Sequence, residues 1–403
     1  MFVLEFKCYG KTTQYQAIDE AIRTVQFVRN KCLRHWMDNR EIGQKAIYAY
    51  STVLRKEFAF VNQLNSTACQ ASAERTWSAI SRFYDNCKKA VKEKGYPKFK
   101  KNVRSVEYKY SGWKLSEDRK KITFTDKKGI GTLKLKGTRD LNYFQIDQIK
   151  RVRLVRRADG YYVQFCIKED LRWIEPKELE LTKHCVGIDV GLKYFYADSD
   201  GNTVEIPQYY RQAEKQLNKL NRRKSRKFRK GEKPSNNYFK SRNKYARKHL
   251  RVSRQRRGFV ERVAWRVIQS NDLVAYEDLN VKNMVKNSRL AKSINDAAWS
   301  MFRRWLEYFG CKYGKVTVAV PPYNTSQNCS NCGEKVQKTL STRTHICPHC
   351  GFVEDRDINA SINILKLALR TVGHTGTWEQ SLNAWGERTS ILVGSDLLGQ
   401  VLS

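Results

Sequence analysis

The pattern of apolar and polar positions changes character several times along the chain. Residues 1–16 alternate like a β-strand, and residues 17–91 show the three-to-four-residue spacing of amphipathic helices. Residues 95–170 alternate again, and Ala158, Asp159 and Gly160 have the composition of a hairpin turn. Because the first strand is separated from the later ones by helices, we predict a small β-barrel or sandwich that carries a helical insertion.

A different pattern begins near residue 184. The segment CVGIDVG predicts a buried strand, a hairpin through Asp200-Gly201-Asn202 follows, and a basic helical stretch is expected over about 212–269. An apolar strand, DLVAYEDLN, a helix over about 297–308, a strand in KVTVAVPP and a helix in INASINILKLALR complete the pattern. Alternating strands and helices predict an α/β fold. The weak periodicity from about residue 371 predicts a loosely ordered tail.

Composition narrows the class of protein. A chain of 403 residues exceeds one usual hydrophobic core, so we expect two to four domains. The 77 Lys and Arg residues exceed the 40 Asp and Glu residues by 37, and the apolar fraction of 40% excludes general disorder. We therefore expect a folded protein that binds a long nucleic acid, or two at once. A ribosomal or chromatin-like binder is the alternative that charge alone allows.

Location follows from what the sequence lacks. No apolar run approaches the length of a membrane helix, and the N-terminal segment MFVLEFKCYGKTTQYQ lacks the layout of a secretory signal. We therefore expect a cytoplasmic protein of a bacterial or archaeal cell, with no membrane partner. Of the eleven cysteines, seven are scattered and four are clustered, which favours reduced thiols and a metal over disulfides.

The clustered cysteines have the spacing of a zinc site. Cys329 and Cys332 form one CxxC pair, Cys347 and Cys350 form another, and a glycine follows each pair. Two such pairs can close a tetrahedral site of four thiolates, which leaves no open position for catalysis. We predict a structural zinc ion. Redox pairs, or a competing ligand from His345 or His349, are the alternatives.

Three acids differ from the other acids of the chain in their surroundings. Asp189 lies in the apolar segment CVGIDVG, Glu277 ends the strand VAYEDL, and Asp357 opens a helix. Carboxylates at neighbouring strand ends are unfavourable unless cations neutralise them. Two Mg²⁺ ions held by oxygen ligands could activate water and stabilise the leaving oxygen of a phosphodiester. Each acid alone could instead be a cap or an ion-pair partner, and Asp355 competes with Asp357.

The most basic segment spans residues 222–257, with seventeen Lys and Arg residues and one acid, Glu232. Interleaved residues such as Phe228 and Tyr245 favour a helix pair that packs on a sheet and binds a nucleic-acid backbone, although a solvated face or a disordered tail has the same composition. Such contacts position phosphates without reading sequence. The candidate contact residues are Arg222, Arg223, Arg226, Arg229, Lys244, Arg247 and Arg254.

The order of motifs resembles one family. With GIDVG, YEDL, TSQNCSNCG, CPHCG and DRDINASINI in succession, the sequence resembles TnpB, the transposon-associated RNA-guided nucleases related to type V CRISPR effectors. The resemblance is closest over about 185–370 and includes the stretch LNVKNMVKNSRLAKSINDAAWSMFRRWLEY. The amino-terminal half has no motif of comparable specificity.

The resemblance implies a multidomain α+β fold. It would contain a RuvC-like nuclease domain of the RNase H type with an inserted four-cysteine zinc ribbon that binds target nucleic acid. A wedge β-barrel carrying an inserted helical recognition domain would precede the nuclease domain. The implied boundaries are 1–16 and 95–180 for the barrel, 17–94 for the recognition domain, 181–324 and 353–372 for the nuclease domain, 325–352 for the ribbon and 373–403 for the tail.

The resemblance also implies an activity, a Mg²⁺-dependent, RNA-guided cleavage of both strands of a DNA duplex at one site. Asp189, Glu277 and Asp357 would be the metal-binding catalytic acids, and Arg356 would contact the scissile phosphate. The partners would be a guide RNA derived from the transposon end and double-stranded target DNA, read mostly by base pairing. A short flanking motif would be read by a smaller set: Gln70, Ser72, Arg75, Ser105 and Tyr108.

Two other functions fit parts of the pattern. A nuclease-inactive, RNA-guided repressor would share the fold, but all three acids are present. A transposase that joins DNA ends also uses three carboxylates, yet the TSQNCSNCG ribbon disfavours it. Tyr48, Trp77, Phe83 and Tyr84 could stack on bases or pack in the helical core. The sequence does not determine whether one or two copies act.

Overall fold

The chain folds into two compact units, Met1–Asp170 and Leu171–Ser403. The computed structural model describes residues 2–374 except 92, 138–139, 143, 169–181 and 340–341, together with 381–382 and 388–389. Most of the tail predicted for 373–403 therefore lies outside the described residues. Within the described part, no helix is long and apolar enough to cross a membrane.

The described residues of the first unit form one antiparallel sheet and four α-helices. Its elements are β1 (Phe2–Tyr9), α1 (Thr12–Asp38), α2 (Gln44–Glu57), α3 (Ala59–Asn62), α4 (Ser66–Lys88), β2 (Ser105–Lys109), β3 (Trp113–Leu115), β4 (Lys121–Phe124), β5 (Thr132–Lys136), β6 (Ile149–Arg157) and β7 (Gly160–Ile167). The sheet order is β2-β6-β7-β1-β5-β4-β3, so the strands form one sheet and not the two of a sandwich. The predicted turn at 158–159 joins β6 to β7.

The first strand is shorter than the predicted 1–16, because helix α1 begins at Thr12. The Lys11 backbone N–H donates to the side-chain oxygen of Gln14 at 2.8 Å, which satisfies one of the free donors at the helix start. The Gln14 side-chain nitrogen donates to the Ile130 carbonyl at 2.6 Å. These bonds attach the start of the helix to the chain leading into β5 and end the strand early.

The predicted helical insertion is present between β1 and β2. Helices α1 to α4 follow β1 in the chain, and β1 and β2 belong to the same sheet. The apolar faces of α1 and α4 share one hydrophobic core with the sheet, which includes Ile18, Trp36 and Ile80 from helices and Val106 and Phe165 from strands. The helices are therefore anchored to the sheet by apolar burial.

The second unit has the alternating order of strands and helices that the pattern predicts. Its elements are β8 (Cys185–Asp189), β9 (Tyr194–Asp198), β10 (Thr203–Glu205), α5 (Tyr209–Ser225), α6 (Asn236–Ser270), β11 (Leu273–Glu277), α7 (Val281–Met284), α8 (Ser288–Ala297), α9 (Trp299–Tyr313), β12 (Val316–Val320), β13 (Thr344–Ile346), β14 (Val353–Asp355), α10 (Arg356–His374), β15 (Ser381–Leu382) and β16 (Arg388–Thr389).

A five-stranded sheet forms the centre of this unit, in the order β10-β9-β8-β11-β12. Strands β8, β11 and β12 are parallel, and β9 and β10 are antiparallel additions. Strand β11 is buried on both faces: Val274 and Tyr276 pack with α6 and α9, and Leu273 and Ala275 pack with α10. Helices therefore cover both faces, as parallel strands require.

The structure fixes the boundaries of two helical segments that the sequence predicted. The basic helical stretch expected over 212–269 forms the expected helix pair, α5 and α6, and the break falls where Gly231 adopts a left-handed conformation (φ +87°) and Pro234 follows it. The helix expected over 297–308 begins at Trp299, where Ala298 (φ +61°) breaks it from α8, and it extends to Tyr313.

Gly187 allows helix α10 to lie directly against strand β8. A Cβ atom at this position would lie 2.1 Å from the Ser361 carbonyl oxygen and 2.8 Å from the Leu365 backbone nitrogen. Contacts that short with backbone atoms cannot be relieved by a side-chain rotation. A residue larger than glycine would therefore force the helix away from the strand.

We expect Gly187→Ala to destabilise the second unit by about 1–3 kcal/mol, the usual range for overpacking. Thermal and urea unfolding followed by circular dichroism would measure this loss. Gly258→Ala is the matched control, since its Cβ would have no neighbour within 4 Å in helix α6. The control should be neutral or stabilising by up to about 1 kcal/mol. Equal stability of the two variants would contradict the assigned role of Gly187.

Candidate active site and metal centre

Two of the three predicted acids end neighbouring parallel strands. Asp189 is the last residue of β8, and Glu277 is the last residue of β11. Ile188 and Tyr276 are partners in the parallel register, so the following residues, Asp189 and Glu277, lie side by side. Adjacent strands are about 4.8 Å apart. Both carboxylates therefore stand at the carboxyl edge of the sheet.

Helix α10 brings the third acid to the same edge. Asp357 is the second residue of α10 and its side chain is only 13% exposed. Its Oδ2 atom lies 4.0 Å from the position of a Cβ built on Gly191, two residues after Asp189. The contact at Gly187 fixes the position of helix α10 on strand β8. The first turn of the helix, which contains Asp357, therefore lies next to Asp189.

Charge repulsion and burial act together on these acids. Burial raises the pKa of Asp189 well above its usual value, and the carboxylates of Glu277, Asp357 and, to a smaller extent, Asp355 raise it further. Burial also raises the pKa of Glu277, against a hydrogen bond from Thr325. The carboxylates are thus partly desolvated and close enough to repel each other, which favours a bound cation.

The donor set fits divalent cations with oxygen ligands. Three carboxylates converge, with Arg356 acting to lower the pKa of Asp189. Their oxygens are spaced more widely than the cysteine sulfurs: among the described residues, the cysteines alone form a group of potential ligand atoms within 4.8 Å of one another. Asp189, Glu277 and Asp357 are the residues that would hold Mg²⁺.

Asp355 has a different environment from Asp357. Its Oδ1 atom accepts a hydrogen bond from the Asp357 backbone N–H at 2.8 Å, as an N-cap residue does. Its Oδ2 atom lies 3.6 Å from the Lys193 ammonium. The sequence allowed either acid to be the cap of helix α10, and the structure gives this role to Asp355. This geometry favours Asp357 as the third acid of the candidate metal site.

The four predicted cysteines converge on one point. Their sulfur atoms lie within 4.8 Å of one another, with 3.7 Å between Cys329 and Cys350 and 3.5 Å between Cys332 and Cys347. A tetrahedral site with Zn–S bonds of about 2.3 Å places sulfurs roughly 3.8 Å apart. Hydrogen bonds, of which the one from the Phe352 backbone N–H is the largest cause, lower the pKa of the Cys350 thiol to about 6. Against a hydrogen bond from a backbone N–H, burial and hydrogen bonds with the other three cysteines raise the pKa of the Cys332 thiol to about 12. The site fits a zinc ion bound by thiolates.

Each cysteine pair sits on the same type of turn. Gly333 donates its backbone N–H to the Cys329 carbonyl at 2.9 Å, and Gly351 donates to the Cys347 carbonyl at 3.0 Å. Both glycines are left-handed, with φ of +85° and +71°. The glycine after each CxxC pair is thus required by the backbone of the turn.

The two histidines considered as competing ligands lie outside the group of converging sulfurs. His345 is fully buried, its ring packs near Phe352, and its Nδ1 atom lies against the Lys338 ammonium. Burial lowers the pKa of His345, and Lys338 lowers it further. His349 is exposed. The geometry therefore favours the four-cysteine ligand set.

Polar contacts that the sequence analysis missed join the ribbon to helix α10 and to Glu277. The Thr325 hydroxyl donates to the Glu277 carboxylate at 2.5 Å. Asn363 donates to the backbone carbonyls of Thr325 and Asn328, at 2.9 and 2.8 Å, and Asn359 donates to the latter at 2.9 Å. The four-residue spacing of Asn359 and Asn363 in a predicted helix was the available signal for a shared polar face.

The predicted phosphate-binding residues are exposed on α5, α6 and the segment between them. This holds for Arg222, Arg223, Arg226, Arg229, Lys244, Arg247 and Arg254. The two helices pack together through Leu217, Val252 and Tyr245. Phe228 is instead half exposed and contacts Tyr238. The exposed positions suit backbone contacts to a nucleic acid, which remain a prediction.

The predicted flanking-motif readers in the first unit divide into two groups. Gln70 is exposed, and Arg75 is held by the Glu107 carboxylate at 3.0 Å, with the Ser105 hydroxyl at 3.4 Å. Ser72 is buried and donates its hydroxyl to the Val25 carbonyl at 2.8 Å. Tyr108 is fully buried, and its hydroxyl donates to Asp126 at 2.9 Å. The last two therefore face the core, which corrects their proposed contact with DNA.

The four aromatic residues considered for stacking on bases also belong to the first unit. Tyr48, Trp77 and Phe83 are partly buried and pack against the core. The hydroxyl of Tyr84 accepts a hydrogen bond from the Trp36 indole at 3.2 Å. These contacts favour the core-packing interpretation.

Comparisons with known proteins find relatives over most of the chain. Residues 299–364 match the family described as "Cas12f1-like, TNB domain", and residues 164–288 match "Probable transposase". A protein of Streptomyces pristinaespiralis named "Putative RNA-guided DNA endonuclease" is 30% identical over 379 residues, which are 91% of this chain and 89% of the relative. "Putative RNA-guided DNA endonuclease InsQ" of Escherichia coli K12 is 27% identical over 360 residues, 84% and 85% of the two chains.

A solved Cas12f1–sgRNA–target DNA complex has 16% identity and a TM-score of 0.34, and the match covers 91% of this chain and 99% of that one. The first relative matches at 30% identity across nine tenths of both chains. The chain therefore belongs to this family of RNA-guided DNA endonucleases, the TnpB family that its motifs resemble.

We expect Cys347→Ser to lose the bound zinc, about one ion per chain, because three thiolates hold the metal more weakly than four. Elemental analysis of purified full-length protein would measure the zinc content. Cys311→Ser is the control, since Cys311 is exposed in α9 and lies outside the converging group. Unchanged zinc in Cys347→Ser would refute the four-cysteine site.

The raised pKa of Asp189 predicts a pH effect in Mg²⁺-free buffer. The folded state binds this proton more tightly than the unfolded state, so the associated stability is present below about pH 4 and is lost as pH rises towards the folded pKa. Asp189→Asn removes the charge and should raise the melting temperature at neutral pH. It should also reduce the stabilisation that added Mg²⁺ gives.

The control for this measurement is Asp200→Asn, which changes an exposed aspartate in the hairpin between β9 and β10. It should leave both the melting temperature and the response to Mg²⁺ as they are in the unmodified protein. A Mg²⁺ response in Asp189→Asn as large as in the unmodified protein would contradict the assignment of this acid to the metal site.

Proposed function

We propose that the chain is an RNA-guided DNA endonuclease that hydrolyses phosphodiester bonds in both strands of a duplex at one site. The observation that carries the proposal is the convergence of Asp189, Glu277 and Asp357 at the carboxyl edge of one sheet. The names of the relatives support the same reaction.

Each residue of the site has a separate role in this proposal. Bound Mg²⁺ would activate water and stabilise the leaving oxygen. Asp189, Glu277 and Asp357 bind and orient the cations, and Asp355 holds the start of α10. Arg356, next to the third acid, contacts the scissile phosphate.

The fold is consistent with an RNase H-like nuclease domain of the RuvC type. In this proposal, residues 181–324 and 353–372 form that domain around the five-stranded sheet, and residues 325–352 form the zinc ribbon, which binds target nucleic acid. The first unit, Met1–Asp170, would supply the recognition domain (17–94) and the wedge barrel (1–16 and 95–180) up to residue 170.

The charge of the chain supports two nucleic-acid partners. A net charge of +37 exceeds what a short DNA site, with roughly 6–10 phosphate contacts, would need. We assign the surplus to a guide RNA derived from the transposon end together with the target duplex. Arg222 and the other exposed cations of α5 and α6 would contact phosphates, and Gln70 and Arg75 remain candidates for the flanking motif.

Two rival functions differ from this proposal in one measurable property each. A repressor would bind guided DNA without cutting it, whereas three assembled acids favour hydrolysis. The second candidate, a transposase, has the description "Probable transposase" for residues 164–288 behind it, but the names of the relatives do not favour it. A transposase would join DNA ends without RNA, so the requirement for RNA separates the two.

We expect Asp189→Ala to abolish DNA cleavage and to retain binding of RNA and DNA, because the carboxylate binds metal and the exposed cations bind phosphates. The assay would use full-length protein with RNA co-purified from its native locus and sequenced, a matching duplex and Mg²⁺. Gel-shift measurements on the same samples would report binding.

Asp200→Ala is the matched control and should cut like the unmodified protein. Retained cleavage in Asp189→Ala would remove Asp189 from the site. Cleavage or end joining that proceeds without any RNA would reject RNA guidance and support the transposase.

A further inference from the structure

Thr325 connects the zinc ribbon to the candidate active site. It lies between β12 and the first cysteine pair and is 6% exposed. Its hydroxyl donates to Oε1 of Glu277 at 2.5 Å, which makes it a neutral donor to one of the three acids. A hydroxyl donor orients a carboxylate without neutralising it, so the acid can still bind a cation.

The backbone around Thr325 is fixed by helix α10. The Asn363 amide donates to the Thr325 carbonyl at 2.9 Å and to the Asn328 carbonyl at 2.8 Å. Fully buried Asn359 accepts from the Ser330 backbone N–H at 2.9 Å. The same helix carries Asp357 in its first turn, so one element positions both that acid and the loop that contacts Glu277.

The zinc site fixes the other end of this loop. Cys329 and Cys332 enclose Ser330, whose carbonyl also accepts from the Lys366 ammonium at 2.5 Å. Thr325 lies four residues before Cys329, within reach of a single turn: the backbone N–H of Asn328 donates to the Asn324 carbonyl at 2.9 Å. The segment from Thr325 to Cys332 is therefore held by helix α10 and by the cysteine site.

We propose that Thr325 is a positioning residue that holds the Glu277 carboxylate in the orientation for binding divalent cations, and that Asn363 and the zinc-bound turn hold Thr325 in place. The inference deepens the proposed function and rests on it for the identity of the site. It makes the ribbon part of the active-site framework in addition to any role in binding nucleic acid.

The physical reason is the mobility of a glutamate next to other acids. Glu277 has three rotatable side-chain bonds, and its negative neighbours favour rotamers that point away from them. A buried hydroxyl keeps the carboxylate at the sheet edge before a cation binds. Partners that orient metal ligands in this way typically contribute about 10- to 100-fold to metal affinity or activity.

Thr325→Val tests this role because it removes the hydroxyl and keeps the shape of the side chain. Mn²⁺ serves as the probe, and its binding to full-length protein without RNA is measured by electron paramagnetic resonance. We expect Thr325→Val to weaken Mn²⁺ binding by about 10- to 100-fold and to raise the half-saturating Mg²⁺ concentration for cleavage in parallel. Thr325→Ser retains the hydroxyl and should restore both values.

Thr203→Val is the matched control, since it makes the same chemical change at an exposed position of β10, outside the ribbon and away from the three acids in the sequence. Zinc content and unfolding are measured for every variant. If Thr325→Val loses zinc or unfolds, Thr325→Ala replaces it, because alanine removes the hydroxyl without placing a methyl group in its position. Asn363→Leu, which removes the anchor of the Thr325 carbonyl, should weaken Mn²⁺ binding to a smaller extent.

Unchanged Mn²⁺ affinity in zinc-loaded Thr325→Val or Thr325→Ala would overturn the proposal. Equal losses in the Ser and Val variants would overturn it too, because packing of the methyl group would then be the cause. Failure of the proposed function looks different. Unmodified protein that binds Mn²⁺ but cuts no DNA would refute the endonuclease, and the Mn²⁺ series would still decide the role of Thr325.

Discussion

The close contact between helix α10 and strand β8 at Gly187 is the constraint on which the second unit depends. Because the helix backbone occupies the space of a side chain there, its first turn must end beside Asp189. The same placement lets Asn359 and Asn363 hold the loop before the cysteine cluster. One packing contact thus brings together the third acid, the ribbon and the ends of the two parallel strands.

The two ends of strand β11 differ in how their acids are neutralised. Asp272, at the start of the strand, is fully buried and forms an ion pair with buried Lys315. Although burial raises its pKa, that ammonium and two backbone N–H groups outweigh burial and lower it. At the other end, burial raises the pKa of Glu277, with a threonine hydroxyl as the hydrogen-bond partner. Burial of carboxylates is unfavourable, and here it occurs at the sheet edge where the proposed function expects cations to bind.

The sequence predicted those features that depend on local spacing. Periodicity predicts the strands that carry Asp189 and Glu277, the hairpin at 200–202 and the helical insertion. Ligand spacing predicts the cysteine cluster. What depends on tertiary contact was missed. A glycine in a strand permits the close approach of a backbone or a ligand, and only the packing of α10 shows that a backbone approaches Gly187. Ser72 and Tyr108 lie in the expected segments but on their buried faces. A neighbouring position on a helix or strand points elsewhere, so side-chain direction requires the packed structure.

The distribution of charge in the second unit separates binding from cleavage. Helices α5 and α6 carry most of the seventeen cations within residues 222–257. The sheet edge instead carries Asp189 together with Glu277 and Asp357, which raise the pKa of Asp189. A phosphodiester strand attracted by the helices is repelled by the acids until divalent cations neutralise them. Neutralisation of the edge is therefore a condition for the close approach of a scissile phosphate, while the exposed cations can hold the rest of the nucleic acid without it. The proposed function therefore assigns nucleic-acid binding and cleavage to different residues of the same unit.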